Sequence, residues 1–140
     1  MKIIRETVVL KRRILEKLIQ WKGSKNKLAL LINGARQVGK TFIVREFGKS
    51  HYKHFIEINF EKQVSVKRAF EGDLDARTII LNLSAMGLGA FEEGKTLIFF
   101  DEIQSCPQAR AAIKFLVEDG RFDYVESGSL LGINYKEVSS

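Results

Sequence analysis

One eight-residue stretch has the residue types and spacing needed to hold phosphate groups, GARQVGKT at Gly34–Thr41. Its glycines, Gly34 and Gly39, permit positive φ angles and a close approach of the backbone to a ligand. The N–H groups of such a loop can point inward and form an anion-binding nest, and a helix that opens at Lys40 would add the partial positive charge of its amino terminus. The pattern therefore predicts a loop that cradles the phosphates of a nucleotide.

The end of this stretch predicts how phosphate and metal would be held. Lys40 can reach the β and γ phosphates, and the Thr41 hydroxyl can ligate Mg²⁺, which prefers hard oxygen ligands. We expect Arg36 to face solvent, because it occupies a variable position of the pattern. The alternative, a chance glycine turn, is disfavoured by the apolar run at residues 28–32. The candidate nucleotide-binding residues are Gly34, Ala35, Arg36, Gln37, Val38, Gly39, Lys40, Thr41 and Phe42.

Two acidic residues close an apolar run further along the chain, in the segment TLIFFDE at Thr96–Glu102. In a parallel sheet, the residues that follow a strand lie at the same edge as a phosphate loop that follows another strand. Asp101 would hold Mg²⁺ through water, and Glu102 would polarise the attacking water as a general base. An acidic pair after a strand also occurs in solvated turns, but its position after a phosphate loop favours the catalytic interpretation.

The hydrophobic pattern predicts that strands and helices alternate, which favours an α/β fold with a mostly parallel sheet between helices. Strands are predicted at residues 27–32, 54–60, 95–100 and 122–126. Helices are predicted at residues 10–22, 41–47, 61–70, 73–86 and 105–117. The third strand is apolar almost throughout, so we expect it to be central. We also expect Gly48 to cap the second helix, Asp73 to cap the fourth, and residues 1–9 to be partly extended.

Composition bounds the class of protein. The 140 residues, 45% of them hydrophobic, suit one globular domain with a core. No apolar run of the sequence approaches the roughly 20 residues that a membrane span needs. Cys106 is the one cysteine, so an intramolecular disulfide is excluded, and the amino terminus has no signal-peptide pattern. The sequence therefore predicts a cytoplasmic protein.

Charge is unevenly distributed along the chain. Residues 1–53 have a net charge of +11, whereas residues 54–140 have a net charge of −5. A basic first third could face nucleic acid, an acidic partner or a membrane surface. We favour the simpler interpretation, in which Lys and Arg solvate the first helix and flank a phosphate site.

Taken together, GARQVGKT, LIFFDEIQ and the SGS after the fourth strand resemble the AAA-superfamily P-loop ATPases. More narrowly, INGARQVGKT, a strand ending in INF, FFDEIQ and SGSLL are similar to one group of bacterial and archaeal ATPases. In that group, a P-loop domain precedes a carboxy-terminal domain of uncertain function. The resemblance covers roughly residues 10–131 and implies the three-layer P-loop NTPase fold, ATP or ADP as ligand, Mg²⁺ as cofactor, and adenine rather than guanine as the base.

The resemblance also implies roles for individual residues. It makes Gly34–Thr41 the Walker A loop and the pair Asp101 and Glu102 the Walker B acids. Ser127 takes the place of the polar sensor that contacts the γ-phosphate or the water, with Ser129 as a weaker alternative. Gln104 belongs to the DEIQ pattern but receives no role. Arginine fingers of this superfamily act on a neighbouring subunit, and the later arginines here are Arg110 and Arg121, for which we expect roles on a helix surface.

The sequence departs from the family pattern at its carboxy-terminal side. Such domains have a fifth strand beside the P-loop strand and a helical lid, whereas we count four strands and see no room for either after Leu131. We expect a basic helix at residues 1–22 on a truncated ATPase core at residues 23–140, with an unpaired P-loop strand that invites self-association. The predicted function is Mg²⁺-dependent ATP hydrolysis coupled to an unknown task. The alternative is a nucleotide-binding switch with little turnover, possibly associated with nucleic acid.

Overall fold

The fold is described by a computed structural model over residues 2–25, 27–33 and 39–128. The strands are β1 (Leu30–Asn33), β2 (His54–Asn59), β3 (Thr96–Asp101) and β4 (Asp123–Gly128). The helices are α1 (Lys2–Lys22), α2 (Lys40–His51), α3 (Ala76–Ala85) and α4 (Pro107–Asp119). Short 3₁₀ segments cover Val64–Phe70 and Ile103–Ser105. Strands and helices alternate from β1 onward, with a 3₁₀ segment and α3 together between β2 and β3.

The four strands form one parallel sheet in the order β1-β4-β3-β2. β3 is buried at every position, as its apolar sequence predicts for a central strand. The predicted α/β fold, a parallel sheet of four strands flanked by helices, is therefore confirmed. Within the described residues β1 lies at the edge of the sheet, paired with β4 alone.

Alternating side chains give the sheet two covered faces. On one face, Phe99 and Val125 pack with Leu18 of α1 and Phe47 of α2. On the other face, the side chains of the intervening residues pack against α3 and α4; they include Ile98, Phe100 and Tyr124. Because side chains alternate, the residues two positions beyond Phe99 and Val125 continue the face that α2 covers. Those residues are Asp101 and Ser127.

The predicted boundaries of α1, α2 and α3 differ from those in the structure. α1 begins at Lys2, so residues 2–9 are helical rather than partly extended. Val8 and Val9 are about half exposed, so these two apolar residues form no buried stripe of the kind on which the sequence prediction depended. α3 is capped by Asp75, whose carboxylate accepts hydrogen bonds from the backbone N–H of Thr78 at 3.2 Å and from its hydroxyl at 3.0 Å, and not by Asp73.

Gly48 lies inside α2 rather than at its end, because the helix continues to His51. A Cβ built on Gly48 would lie 2.2 Å from Cδ1 of Phe55 on β2. The residue is therefore a glycine because helix and strand approach closely here. Gly48 does not end the helix as a C-cap.

This close approach predicts that Gly48→Ala destabilises the fold, although alanine favours a helix over glycine. The added methyl must displace the Phe55 ring, which we expect to lower the free energy of unfolding by about 1–3 kcal/mol. Urea unfolding followed by circular dichroism measures this. Gly23→Ala is the matched control, since its Cβ would lie 3.8 Å from the nearest backbone atom. A Gly48→Ala protein as stable as the Gly23→Ala control would contradict this account of the α2–β2 contact.

The sequence analysis expected Arg110 to lie on an exposed helix surface, and this prediction is wrong. The Arg110 guanidinium forms an ion pair with Glu126 of β4, and the two side chains are 11% and 0% exposed. Burial raises the pKa of Glu126, and the positive charge of Arg110 opposes that rise. Arg121 pairs with Asp119, its Nε atom 2.7 Å from Oδ2, and stacks its guanidinium 5.4 Å from the centre of the Phe122 ring.

We expect Arg110→Ala to lower the free energy of unfolding by about 3–5 kcal/mol at neutral pH, because it leaves a buried carboxylate without its cation. Without Arg110, the pKa of Glu126 in the folded state lies further above its unfolded value. The loss should therefore shrink as the pH falls and Glu126 takes up a proton. Urea unfolding at several pH values tests this, with Arg110→Ala in a Glu126→Gln background as control. A loss of the same size at every pH would refute the electrostatic explanation.

Candidate functional site

The candidate site lies at the carboxyl ends of the strands, where β1 leads toward α2. Residues Gly34, Ala35, Arg36, Gln37 and Val38 lie outside the described residues. Gly39 has φ 70° and ψ 32°, the left-handed conformation that glycine adopts without strain. The sequence analysis noted that glycine permits positive φ at this position. α2 begins at the next residue, so the partial positive charge of its amino terminus lies at the end of the loop.

Lys40 is the first residue of α2, and its side chain is buried although it carries a charge. The residue is 7% exposed, and its Nζ atom has no hydrogen-bond partner among the described residues. Burial lowers the pKa of Lys40, while the carboxylate of Asp101 opposes that effect. A buried ammonium without an acceptor is costly, so this position is suited to an anionic ligand.

Thr41 and Phe42 follow on the first turn of α2. Thr41 is half-buried, whereas Phe42 is exposed. The side chain of Lys11 on α1 lies near Gly39, which precedes this turn, and near the ring of Phe42. Its Cε atom lies 3.6 Å from where a Cβ of Gly39 would be, and its Nζ atom is 5.6 Å from the centre of the Phe42 ring. The basic charge of the first third had suggested cations beside the phosphate site, but the sequence did not single out Lys11.

Asp101 ends β3 on the face covered by α2, and the residue is 7% exposed. Its Oδ1 atom accepts the backbone N–H of Glu102 at 3.0 Å, and its Oδ2 atom lies 3.4 Å from the Asn59 amide nitrogen. Burial raises the pKa of Asp101, and the neighbouring charge of Glu102 adds to this. A carboxylate in such surroundings is stabilised by a nearby cation, so its chemistry and its place within electrostatic reach of Lys40 fit a Mg²⁺ ion with bound phosphates.

Glu102 has φ 53° and ψ 46°, and it is the one residue other than glycine with positive φ in the described ranges. Backbone strain of this kind persists where the surroundings hold it, often at functional sites. The half-buried Glu102 carboxylate accepts a hydrogen bond from the Gln104 amide, 2.8 Å from Nε2 to Oε1. This hydrogen bond restrains the position of the Glu102 carboxylate.

Ser127 is the second-to-last residue of β4 and is 9% exposed. It pairs in register with Ile32 of β1, near the end of the strand that leads into the phosphate loop. Its side chain continues the face of Val125, the same face that carries Asp101. Four of the residues selected from the sequence, Lys40, Thr41, Asp101 and Ser127, therefore belong to α2 or to the strand ends that it covers. Ser129 lies outside the described residues.

Sequence reasoning missed three polar residues of β2 and α2 beside this site. Asn59 pairs in register with Asp101 and contacts its carboxylate. Two residues earlier, Glu57 forms a two-bond ion pair with Arg45 of α2, with N–O distances of 2.6 and 2.8 Å. The INF segment at the end of β2 was noted for its family resemblance, and that was the one signal pointing to Asn59.

A comparison with protein-family models shows to which family the chain belongs. A family model described as "AAA domain" matches residues 26–140. The chain belongs to the AAA domain family. The matched part of this AAA domain includes the phosphate loop, both acids and Ser127, and it starts after the end of α1. Membership of this ATPase family indicates nucleotide binding. A search of curated proteins gives no match.

One further property concerns the helices of this AAA domain. Within the described parts of the chain, none of them combines the length and the apolar composition needed to cross a bilayer.

Proposed function

We propose that this AAA domain binds ATP with Mg²⁺ and hydrolyses it to ADP and phosphate. One observation carries the proposal: the buried Lys40 ammonium lacks an acceptor among the described residues and lies at the amino terminus of α2, within electrostatic reach of the buried Asp101 carboxylate. A site with this combination gains most from a ligand that is anionic and brings its own cation, as the Mg²⁺ complex of ATP does.

Binding of the phosphates is assigned to α2 and the loop before it. Lys40 would contact the β and γ phosphates, and the N–H groups of the loop and of the first turn of α2 would point at the phosphate oxygens. The left-handed Gly39 directs the chain from the loop into the helix. Bound phosphate would also raise the lowered pKa of Lys40, because it supplies the opposite charge.

Metal binding is assigned to two oxygen-bearing side chains, the Thr41 hydroxyl and the Asp101 carboxylate. Mg²⁺, when bound, neutralises charge on the phosphate oxygens and orients them. Asn59 and the Glu102 N–H hold the Asp101 carboxylate in place through hydrogen bonds. Fixed carboxylates of this kind suit the strict octahedral geometry that Mg²⁺ requires.

Hydrolysis is assigned to Glu102 and Ser127. The Glu102 carboxylate would take a proton from the attacking water. The Ser127 hydroxyl would donate a hydrogen bond to a γ-phosphate oxygen or orient that water. In phosphoryl transfer, such positioning and charge stabilisation supply most of the rate enhancement.

Steady-state release of phosphate from ATP and Mg²⁺ by the purified chain tests this proposal. Repeated turnover that disappears on chelation of Mg²⁺ would support it. Tight binding of ATP without turnover would instead favour the alternative, a nucleotide-responsive switch. If a titration detected no binding of ATP, both functions would be rejected.

A further inference from the structure

Gln104 makes a specific contact with Glu102 to which the proposed function gives no role. The residue lies in the 3₁₀ segment Ile103–Ser105 that follows β3. Its side chain turns back along the chain, so that its amide Nε2 donates to Oε1 of Glu102 at 2.8 Å. Both side chains are half-buried, which reduces competition from water for this hydrogen bond.

The backbone around Gln104 is fixed on both sides. Ile103, which begins the short segment, and Cys106, which follows it, are buried and belong to the core cluster on the α4 face of the sheet. The Ser105 N–H donates to the Glu102 carbonyl at 3.0 Å, and the Cys106 N–H donates to the Ile103 carbonyl at 3.0 Å. The Gln104 side chain therefore starts from a rigid position, and its reach to Glu102 is built into the turn.

A glutamate side chain needs such a restraint to act as a general base. It has several rotatable bonds, and ordering it costs conformational entropy. A base must also lie within hydrogen-bond distance of the proton that it takes. A donor on one carboxylate oxygen fixes the plane of the group. The Gln104 amide does this without adding a charge that would compete with Lys40 for the phosphates.

We propose that Gln104 is a positioning residue for ATP hydrolysis, holding the Glu102 carboxylate where it can take a proton from water. This inference rests on the proposed function. In the step that it assists, the water oxygen bonds to the γ-phosphorus, the bond from that phosphorus to the β–γ bridging oxygen breaks, and ADP leaves with the bond electrons. One water proton passes to the Glu102 carboxylate. Gln104 keeps its own protons throughout and acts through Glu102.

The test compares Gln104→Met, which has a similar length but no donor, with Gln104→Glu, whose ionised carboxylate cannot donate. We expect kcat for ATP to fall about 10-fold to 100-fold in both variants, the range found when a partner that orients a functional group is removed. In Gln104→Met, which leaves the charge of the site unchanged, the Kd for ATP should stay within about twofold of its original value, because Gln104 acts on the chemical step rather than on ground-state binding. Gln108→Met, an exposed glutamine on α4, is the matched control and should leave kcat unchanged.

A double-variant comparison separates this role from a general structural one. In a Glu102→Gln background, Gln104→Met should cause no further loss of kcat, since residues that act as a unit are not additive. An unchanged kcat in Gln104→Met, a loss that appears in the Kd for ATP, or a full further loss in the double variant would each overturn the inference. Failure of the proposed function itself is distinguishable, because the unsubstituted chain would then release no phosphate, and the positioning role would be rejected with it.

Discussion

Replacement of Lys40 by alanine is expected to abolish measurable binding of ATP while leaving the nucleotide-free fold at least as stable. The lost contact joins a buried ammonium to phosphate, and removing one partner of such a pair costs about 2–5 kcal/mol or more. Without nucleotide, the same ammonium has no acceptor among the described residues and its burial opposes folding. Binding and stability should therefore respond differently to one substitution. Calorimetric titration with ATP and Mg²⁺ measures the first, and urea unfolding without nucleotide measures the second.

Lys49→Ala is the matched control for this prediction. It removes an exposed lysine of the same helix, far along α2 from the phosphate loop, and should change neither property much. Lys40→Met keeps the aliphatic stem and separates loss of charge from loss of packing. If Lys40→Ala bound ATP as tightly as the Lys49→Ala control, Lys40 would not be a phosphate ligand.

Replacement of Glu102 by glutamine is expected to leave ATP affinity intact and to slow hydrolysis. The amide keeps the shape of the side chain but cannot take a proton from water, and loss of a general base lowers kcat by about 10²–10⁴-fold. Stability should change little, because glutamine meets the same left-handed backbone at φ 53°. Phosphate release at saturating ATP, together with calorimetric affinity, gives both quantities.

Glu93→Gln provides the control, since Glu93 is an exposed acid in the turn before β3. That variant should hydrolyse ATP at the original rate. Equal turnover in Glu102→Gln and Glu93→Gln would remove Glu102 from the chemical step, while leaving the phosphate-binding role of Lys40 standing.

The sheet was predictable from the sequence because its signals are local. The apolar run of β3, the alternation in β2 and the glycine turn after β1 each mark a strand without reference to the rest of the chain. The glycine at position 48 is explained by a tertiary contact rather than by a helix cap, whereas the Asp75 cap is a local contact with Thr78. The approach of Phe55 to Gly48 joins two elements, and no local pattern in the sequence encodes it.

The residues of the candidate site also fall into two groups, those that local motifs predict and those whose contacts depend on the folded structure. Lys40, Asp101 and Glu102 were selected because each follows a strand in a recognisable motif. The contacts of Asn59 and Gln104 could not be predicted, since one depends on the register between β2 and β3 and the other on the left-handed turn at Glu102.

The buried pair of Arg110 with Glu126 was also missed, because the sequence does not show which face of the helix an arginine occupies. Nucleic-acid binding by residues 1–53 and self-association through β1 stay predictions.

One measurement tests the central claim most directly: release of phosphate from ATP and Mg²⁺ by the unsubstituted chain, Lys40→Ala and Glu102→Gln, purified in parallel. The account predicts repeated turnover by the unsubstituted chain and almost none by either variant, with bound ATP retained in Glu102→Gln alone. The same rate in all three proteins, or turnover in none of them, would contradict the assignment of this site to ATP hydrolysis.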